Sequence, residues 1–232
     1  MLEKVCCILD IDGFDIRVYD EFCCTYTTEF MVRELGYVRI DPNYDYLAKS
    51  YRFDLSQKMK LVKKTPEVWR TLYFQSKHVI GLPITPGGSE HDCIPYKCLE
   101  EVLQDIYYYC KRPGANIVAY KGGDKEKNLL ERLEIPSVDL QCFGCPSFKD
   151  LIKFGRVFST LRDCGHHTEL KKGKLMHCPK AEVIAYRDWY KMNYERYSSS
   201  ALSEACQSTA SSSHASSSAL SYSGHCTSSD SD

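Results

Sequence analysis

Three strand-like runs open this chain, and helix-like and strand-like runs alternate after them; few folds accommodate that order. Val5 to Asp10 (VCCILD) is a short run of β-formers and predicts a buried strand. Phe30 to Ile40 predicts a second strand and Tyr46 to Phe53 a third, with Pro42 and Asn43 supplying the turn between them. Cys98 to Cys110 spaces Leu99, Val102, Leu103, Ile106 and Tyr107 on one helical face, and Pro113-Gly114 ends that helix. Asn116 to Tyr120 predicts a strand. Asp124 to Leu133 predicts a helix with Leu129, Leu130 and Leu133 turned inward. Ser137 to Leu140 predicts a short strand, and Phe148 to Phe158 and Ala181 to Tyr194 two more helices. The order predicts an α/β domain over residues 1–197, a mixed sheet flanked by helices. His78 to Pro86 reads as a loop with turn-forming Gly and Pro, and Tyr107-Tyr108-Tyr109 as half-buried helix positions.

The composition breaks after Tyr197. From Ser198 to Asp232, 16 of 35 residues are serine and large apolar residues almost vanish, which predicts a disordered tail open to a protein partner. The 13 cysteines are read against Met1-Leu2-Glu3-Lys4, which leads straight into the first strand with no secretory pattern. No apolar run has membrane-spanning length. Reduced thiols, some of them on metal, in the cytoplasm or nucleus are therefore expected. Lys and Arg number 30 against 31 Asp and Glu, so bulk charge attracts no nucleic acid and any such binding must use local patches.

Asp10 and Asp12 close the first strand at spacing i, i+2, which turns both carboxylates to one face. Like charges held together seldom persist without a cation. Asp124 follows Gly122-Gly123 at a helix start, and His177 precedes Glu182 by five positions at the start of the last helix. Singly, each of these acids reads as a helix-start residue. Soft ligands gather nearby. Cys164 and His167 form Cys-x2-His, and ten residues separate His167 from Cys178. By spacing alone, Cys142 and Cys145 complete a C-x2-C-x18-C-x2-H pattern with Cys164 and His167.

In this order the motifs resemble those of the DEDDh 3′→5′ exonucleases, an RNase-H-like superfamily. Asp10-x-Asp12 is similar to the first motif, usually Asp-x-Glu. Met31 to Val38 (MVRELGYV) is similar to the second strand, Asn116 to Leu130 to the second motif, and His177 to Glu182 to a third motif that usually ends in Asp. The resemblance implies an RNase-H-like sheet and a metal-dependent 3′→5′ exonuclease acting on RNA or single-stranded DNA. In it Asp10, Asp12, Asp124 and Glu182 would hold Mg²⁺ or Mn²⁺, and His177 would be the general base. The Cys-x2-His and His-Cys stretches also resemble the Maelstrom domain, a DEDDh relative of the piRNA pathway with a Glu-Cys-His-Cys zinc set. That likeness implies a structural zinc on Glu34, Cys164, His167 and Cys178, with Cys145 as the substitute for Glu34, pinning the loop before the last helix. It also implies the alternative function, a catalytically inactive RNA-binding module stabilised by zinc and acting in RNA silencing or transposon control.

Overall fold

A computed structural model describes residues 2–20, 22–62, 65–86, 92–153, 167 and 177–198. Strand β1 (Val5–Asp20) and strand β2 (Thr25–Asp41) form a long antiparallel hairpin. β3 (Tyr44–Asp45) folds back on the end of β2, and β4 (Lys49–Asp54) runs antiparallel along its middle. Helices α1 (Ser56–Met59) and α2 (Pro66–Gln75) follow, then β5 (Ile94–Pro95) and α3 (Leu99–Cys110). β6 (Ile117–Tyr120), α4 (Asp124–Arg132), β7 (Ser137–Asp139), α5 (Phe148–Lys153) and α6 (Pro179–Ser198) complete the described chain. The sheet has seven strands in the order β5-β4-β2-β1-β6-β7, with β3 paired to β2. β6 lies parallel to β1 and β7 parallel to β6. The expected α/β class is present: a mixed sheet flanked by helices, compatible with an RNase-H-like arrangement.

Alternation along β1 divides the core. Ile8 joins Val38, Leu140, Phe148, Val183 and Trp189 under α5 and α6. Cys7, Leu9 and Ile11 point the other way and join Leu35, Leu103, Ile106 and Leu130 under α3 and α4. A third cluster, Phe14, Ile16, Met31, Leu72 and Ile80, packs the far half of the hairpin against α2.

Two irregularities set up the site. The β1–β2 register shifts between Asp12 and Gly13, so Asp12 faces Glu34 while Gly13 faces Val32. Arg33 is the extra residue of this bulge. It is fully buried and donates from Nε to the Pro83 carbonyl at 2.8 Å and from Nη1 to that of Phe53 at 3.0 Å. The second is a close approach. A Cβ on Gly36 would lie 2.3 Å from the Pro179 carbonyl carbon, so only glycine lets the first turn of α6 rest on β2. Gly36 faces Asp10 in register, and α6 therefore starts directly beside the acidic end of β1.

Boundaries differ from the expected ones where tertiary packing extends an element. β1 runs on to Asp20 because Phe14 and Ile16 alternate with Asp15 and Arg17 over a helix-covered face. α2 was not expected, and Ser76–Ile80 continues it as a π turn that takes in the start of the expected loop His78 to Pro86. The later part of the expected helix Phe148 to Phe158 lies outside the described residues, as does the Ser-rich tail beyond Ser198.

Candidate active site

Asp10, Asp12, Glu126 and Glu182 line one cleft of about 920 Å³ together with His177. Asp10 and Asp12 come from β1. Glu182 lies in the first turns of α6 and is buried. Glu126 comes from α4, where it shares the inward face with Leu129 and Leu130. Its carboxylate lies toward the backbone N–H groups of Glu126 itself and of Ile11, which favour its ionised form. Gly123 makes room for that carboxylate, since a Cβ there would sit 1.9 Å from Glu126 Oε2.

The electrostatics follow from packing these carboxylates together away from water. Burial lifts the Asp10 carboxyl well above the usual range, and the charges of Glu182, Glu126 and Asp12 add to the effect. Burial pushes Asp12 up to about 6, while the nearby His177 and the Gly13 N–H pull it down. That N–H donates to Asp12 Oδ1 at 2.9 Å. Oδ2 of Asp12 is buried and has no hydrogen-bond partner among the described residues. Burial pushes Glu126 up to about 7, against the opposing pull of the Glu126 and Ile11 N–H groups. His177 Nδ1 lies 3.1 Å from Glu182 Oε1, and this bond raises the imidazole to about 9. Tyr186 donates to the other Glu182 oxygen at 2.8 Å, and burial holds its phenol far above the usual range. The His177 backbone N–H donates to the Val79 carbonyl at 3.2 Å.

Asp124, expected among the acids of this site, is exposed and lines a neighbouring groove of about 770 Å³ instead. The structure brings Glu126 to the cleft in its stead. Sequence reading passed over Glu126, although a carboxylate three and four positions before Leu129 and Leu130 occupies an apolar helix face and invites a functional reading. The cleft rim carries Lys121, Lys125 and Lys149. Lys125 pairs with Asp15 and lies 4.3 Å from the centre of the Phe30 ring.

A second polar cluster lies beyond the Asp12–Glu34 pair. His167 Nε2 is 3.3 Å from Glu34 Oε2, and both side chains are almost sealed from solvent. Cys178, also buried, immediately precedes α6. Cys164 lies outside the described residues. Cys145 is buried, with its thiol pushed up to about 12 by burial, whereas Cys142 is exposed. The two thiols of the C-x2-C pair therefore sit in different environments. Among the described residues no group of three or more His, Cys, Asp or Glu is already gathered to hold a metal ion, and no helix is long and apolar enough to cross a membrane. Tyr108 and Tyr109, expected to be half-buried, are exposed.

No protein-family model matches this chain, and no characterised protein matches it in sequence.

Proposed function

We propose that the chain is an RNase-H-like hydrolase of the DEDDh type, a metal-dependent 3′→5′ exonuclease that acts on RNA or single-stranded DNA. The observation that supports it best is the convergence of Asp10, Asp12, Glu126 and Glu182 with His177 in one cleft. Buried like charges without a cation oppose one another, and an orphaned oxygen on Asp12 adds a donor aimed at nothing else. The donor set is all hard oxygen and fits Mg²⁺ or Mn²⁺.

In this mechanism Asp10, Asp12, Glu126 and Glu182 would hold the divalent ions, which supply an activated water and stabilise the leaving oxygen. Glu182 orients His177 through Nδ1, which leaves Nε2 as the nitrogen able to take a proton from water. The same bond raises the affinity of the ring for its second proton. A cation held by Glu182 would weaken that hold and favour the basic form of the ring. Tyr186 fixes the remaining Glu182 oxygen, so the carboxylate cannot swing away from the cleft.

The sealed Glu34–His167 contact supports a second reading, a Maelstrom-like module that binds RNA without cutting it, in which Glu34, His167, Cys178 and Cys164 would hold a structural zinc. One assay separates the two. Single-stranded RNA and DNA labelled at either end are incubated with Mg²⁺, Mn²⁺ or EDTA, with the Asp10→Ala protein as control. A metal-dependent ladder shortening from the 3′ end, absent in the control, is expected. A gel shift without cleavage under any metal replaces the hydrolase by the binding module.

A further inference from the structure

We propose that the outer face of α2, with the π turn that continues it, is a track for unpaired nucleotides leading a single strand into the carboxylate cleft. The proposal deepens the hydrolase reading and rests on it for the destination of the strand.

The inward side of α2 is narrow. Leu72 is buried and Val68 packs beside it on the hairpin cluster. The outward side carries Trp69 and Tyr73 one turn apart, and Phe74 followed by His78 one turn on. Trp69, Tyr73 and Phe74 are 44%, 59% and 57% exposed. Large rings left in water along one face of one helix mark a contact surface. The stretch from Trp69 to Ile80 includes Arg70, Lys77 and His78 and contains no acidic residue, in a chain whose charges otherwise balance. Lys77 lies 5.2 Å from the centre of the Tyr73 ring and donates to its hydroxyl at 2.9 Å, so a cation and a ring are presented together. The Phe74 and His78 rings sit 5.1 Å apart.

Position gives this face a direction. Phe74, His78 and Val79 line the cleft that holds Asp10, Asp12 and Glu182, whereas Trp69 lies further along the helix, outside it. The π turn fastens the two regions together, because its Val79 carbonyl accepts the His177 N–H. Unpaired bases offer ring faces for stacking and phosphates for Arg and Lys, which is the chemistry this face displays. Bases in a duplex bury those faces. The run from Trp69 to His78 is about 13 Å long at 1.5 Å per residue, room for about four stacked nucleotides at 3.4 Å each.

The test uses the full chain carrying Asp10→Asn, so that bound strands survive, and reads fluorescence anisotropy with Mg²⁺ present. The probes are short single-stranded RNA and DNA, a blunt duplex, and duplexes with 3′ overhangs lengthened stepwise. Weak binding of the blunt duplex is expected, with affinity rising with overhang and levelling near about four nucleotides. Replacing Trp69, Tyr73 and Phe74 together by Ala should weaken binding roughly a hundredfold or more, while Trp69→Phe with Tyr73→Phe keeps the rings and most of the affinity. Tyr73→Ala and Phe74→Ala are also measured singly, with melting temperature as the check on folding. Ring-independent binding, or blunt duplex bound as tightly as overhangs, overturns the track. Cleavage by the unsubstituted protein is read separately. Ring-dependent binding without cleavage keeps the track and removes the hydrolase; cleavage with ring-independent binding does the reverse.

Discussion

Asp12 and Glu34 face one another across the β1–β2 ladder, yet their carboxylates end in opposite surroundings. On the Asp12 side, four carboxylates share a solvent-reached cleft, and burial and mutual repulsion favour the protonated forms of Asp10, Asp12 and Glu126. On the Glu34 side, the carboxylate is sealed, contacts His167 and has Arg52 at the facing register position of β4. In one region several carboxylates crowd one another, and in the other a single sealed carboxylate faces an imidazole. The difference separates groups held for chemistry at a cost in stability from groups that brace the fold. It also predicts opposite signs when the charge is removed.

The largest effect is expected in the cleft. Asp10→Asn should reduce cleavage roughly a thousandfold or more while the metal-free protein melts at an equal or higher temperature, because a buried repulsion is relieved. Retained cleavage, or a marked fall in melting temperature, breaks the comparison at its functional end. A finer version opposes two residues of the same helix. Glu126→Gln should cost about a hundredfold in cleavage, whereas Asp124→Asn, at an exposed position, should cost less than about threefold. If Asp124→Asn is the damaging one, the cleft uses the helix-start acid and Glu126 is only a cap.

On the sealed side the sign reverses. With His167 protonated, Glu34→Gln breaks a buried ion pair in a site closed to water, a change that typically costs about 3–5 kcal/mol. In a domain of this size that is a melting temperature lower by roughly 10 °C. If zinc bridges this corner, Cys178→Ser and Cys164→Ser should each lower bound zinc from one ion per chain as well as the melting temperature. Thermal melts and metal analysis of purified protein check both. A Glu34→Gln protein as stable as its parent would mean that the two acids facing one another do not differ in kind.

The order of the longer strands and helices along the chain was legible because the buried faces keep their period, whereas the short β3 and β5 were not. Cys7, Leu9 and Ile11 alternate with Ile8 and Asp10, and Leu99, Leu103 and Ile106 recur at helical spacing. α2 was not legible for the opposite reason. Only Val68 and Leu72 turn inward, while Trp69, Tyr73 and Phe74 face solvent, so the apolar pattern has no helical stripe. The cap was readable, since Thr65 precedes Pro66 and accepts the Val68 N–H. Within the site, Asp10, Asp12, His177 and Glu182 were legible from order and spacing. Glu126 was missed because Asp124 directly follows two glycines and looks like the better helix-start acid. The bulge that buries Arg33 leaves no local signal, for its partners Pro83 and Phe53 are distant in sequence.

The smallest effect is a pH dependence of the metal-free protein. Folding raises Asp12 from 3.8 to about 6 and Glu126 from 4.5 to about 7. A group whose folded pKa is raised binds its proton more tightly when folded, so its stabilising contribution is complete below the unfolded pKa and disappears as pH rises through the folded one. Melting temperature should therefore fall between about pH 4 and 7, by several degrees for a loss of roughly a few kcal/mol. His177, raised to about 9, adds a further loss above neutrality, but its side chain is 62% exposed and solvent screens most of that. Saturating Mg²⁺ should flatten the curve, since a cation compensates the ionised carboxylates. Glu34→Gln should shift the curve downward and slightly flatten it, because the Glu34 charge adds to the repulsion on Asp10. A metal-free protein whose stability rises from pH 4 to 7 would show that the cleft carboxylates are paired rather than opposed, and the contrast between the two regions would be lost.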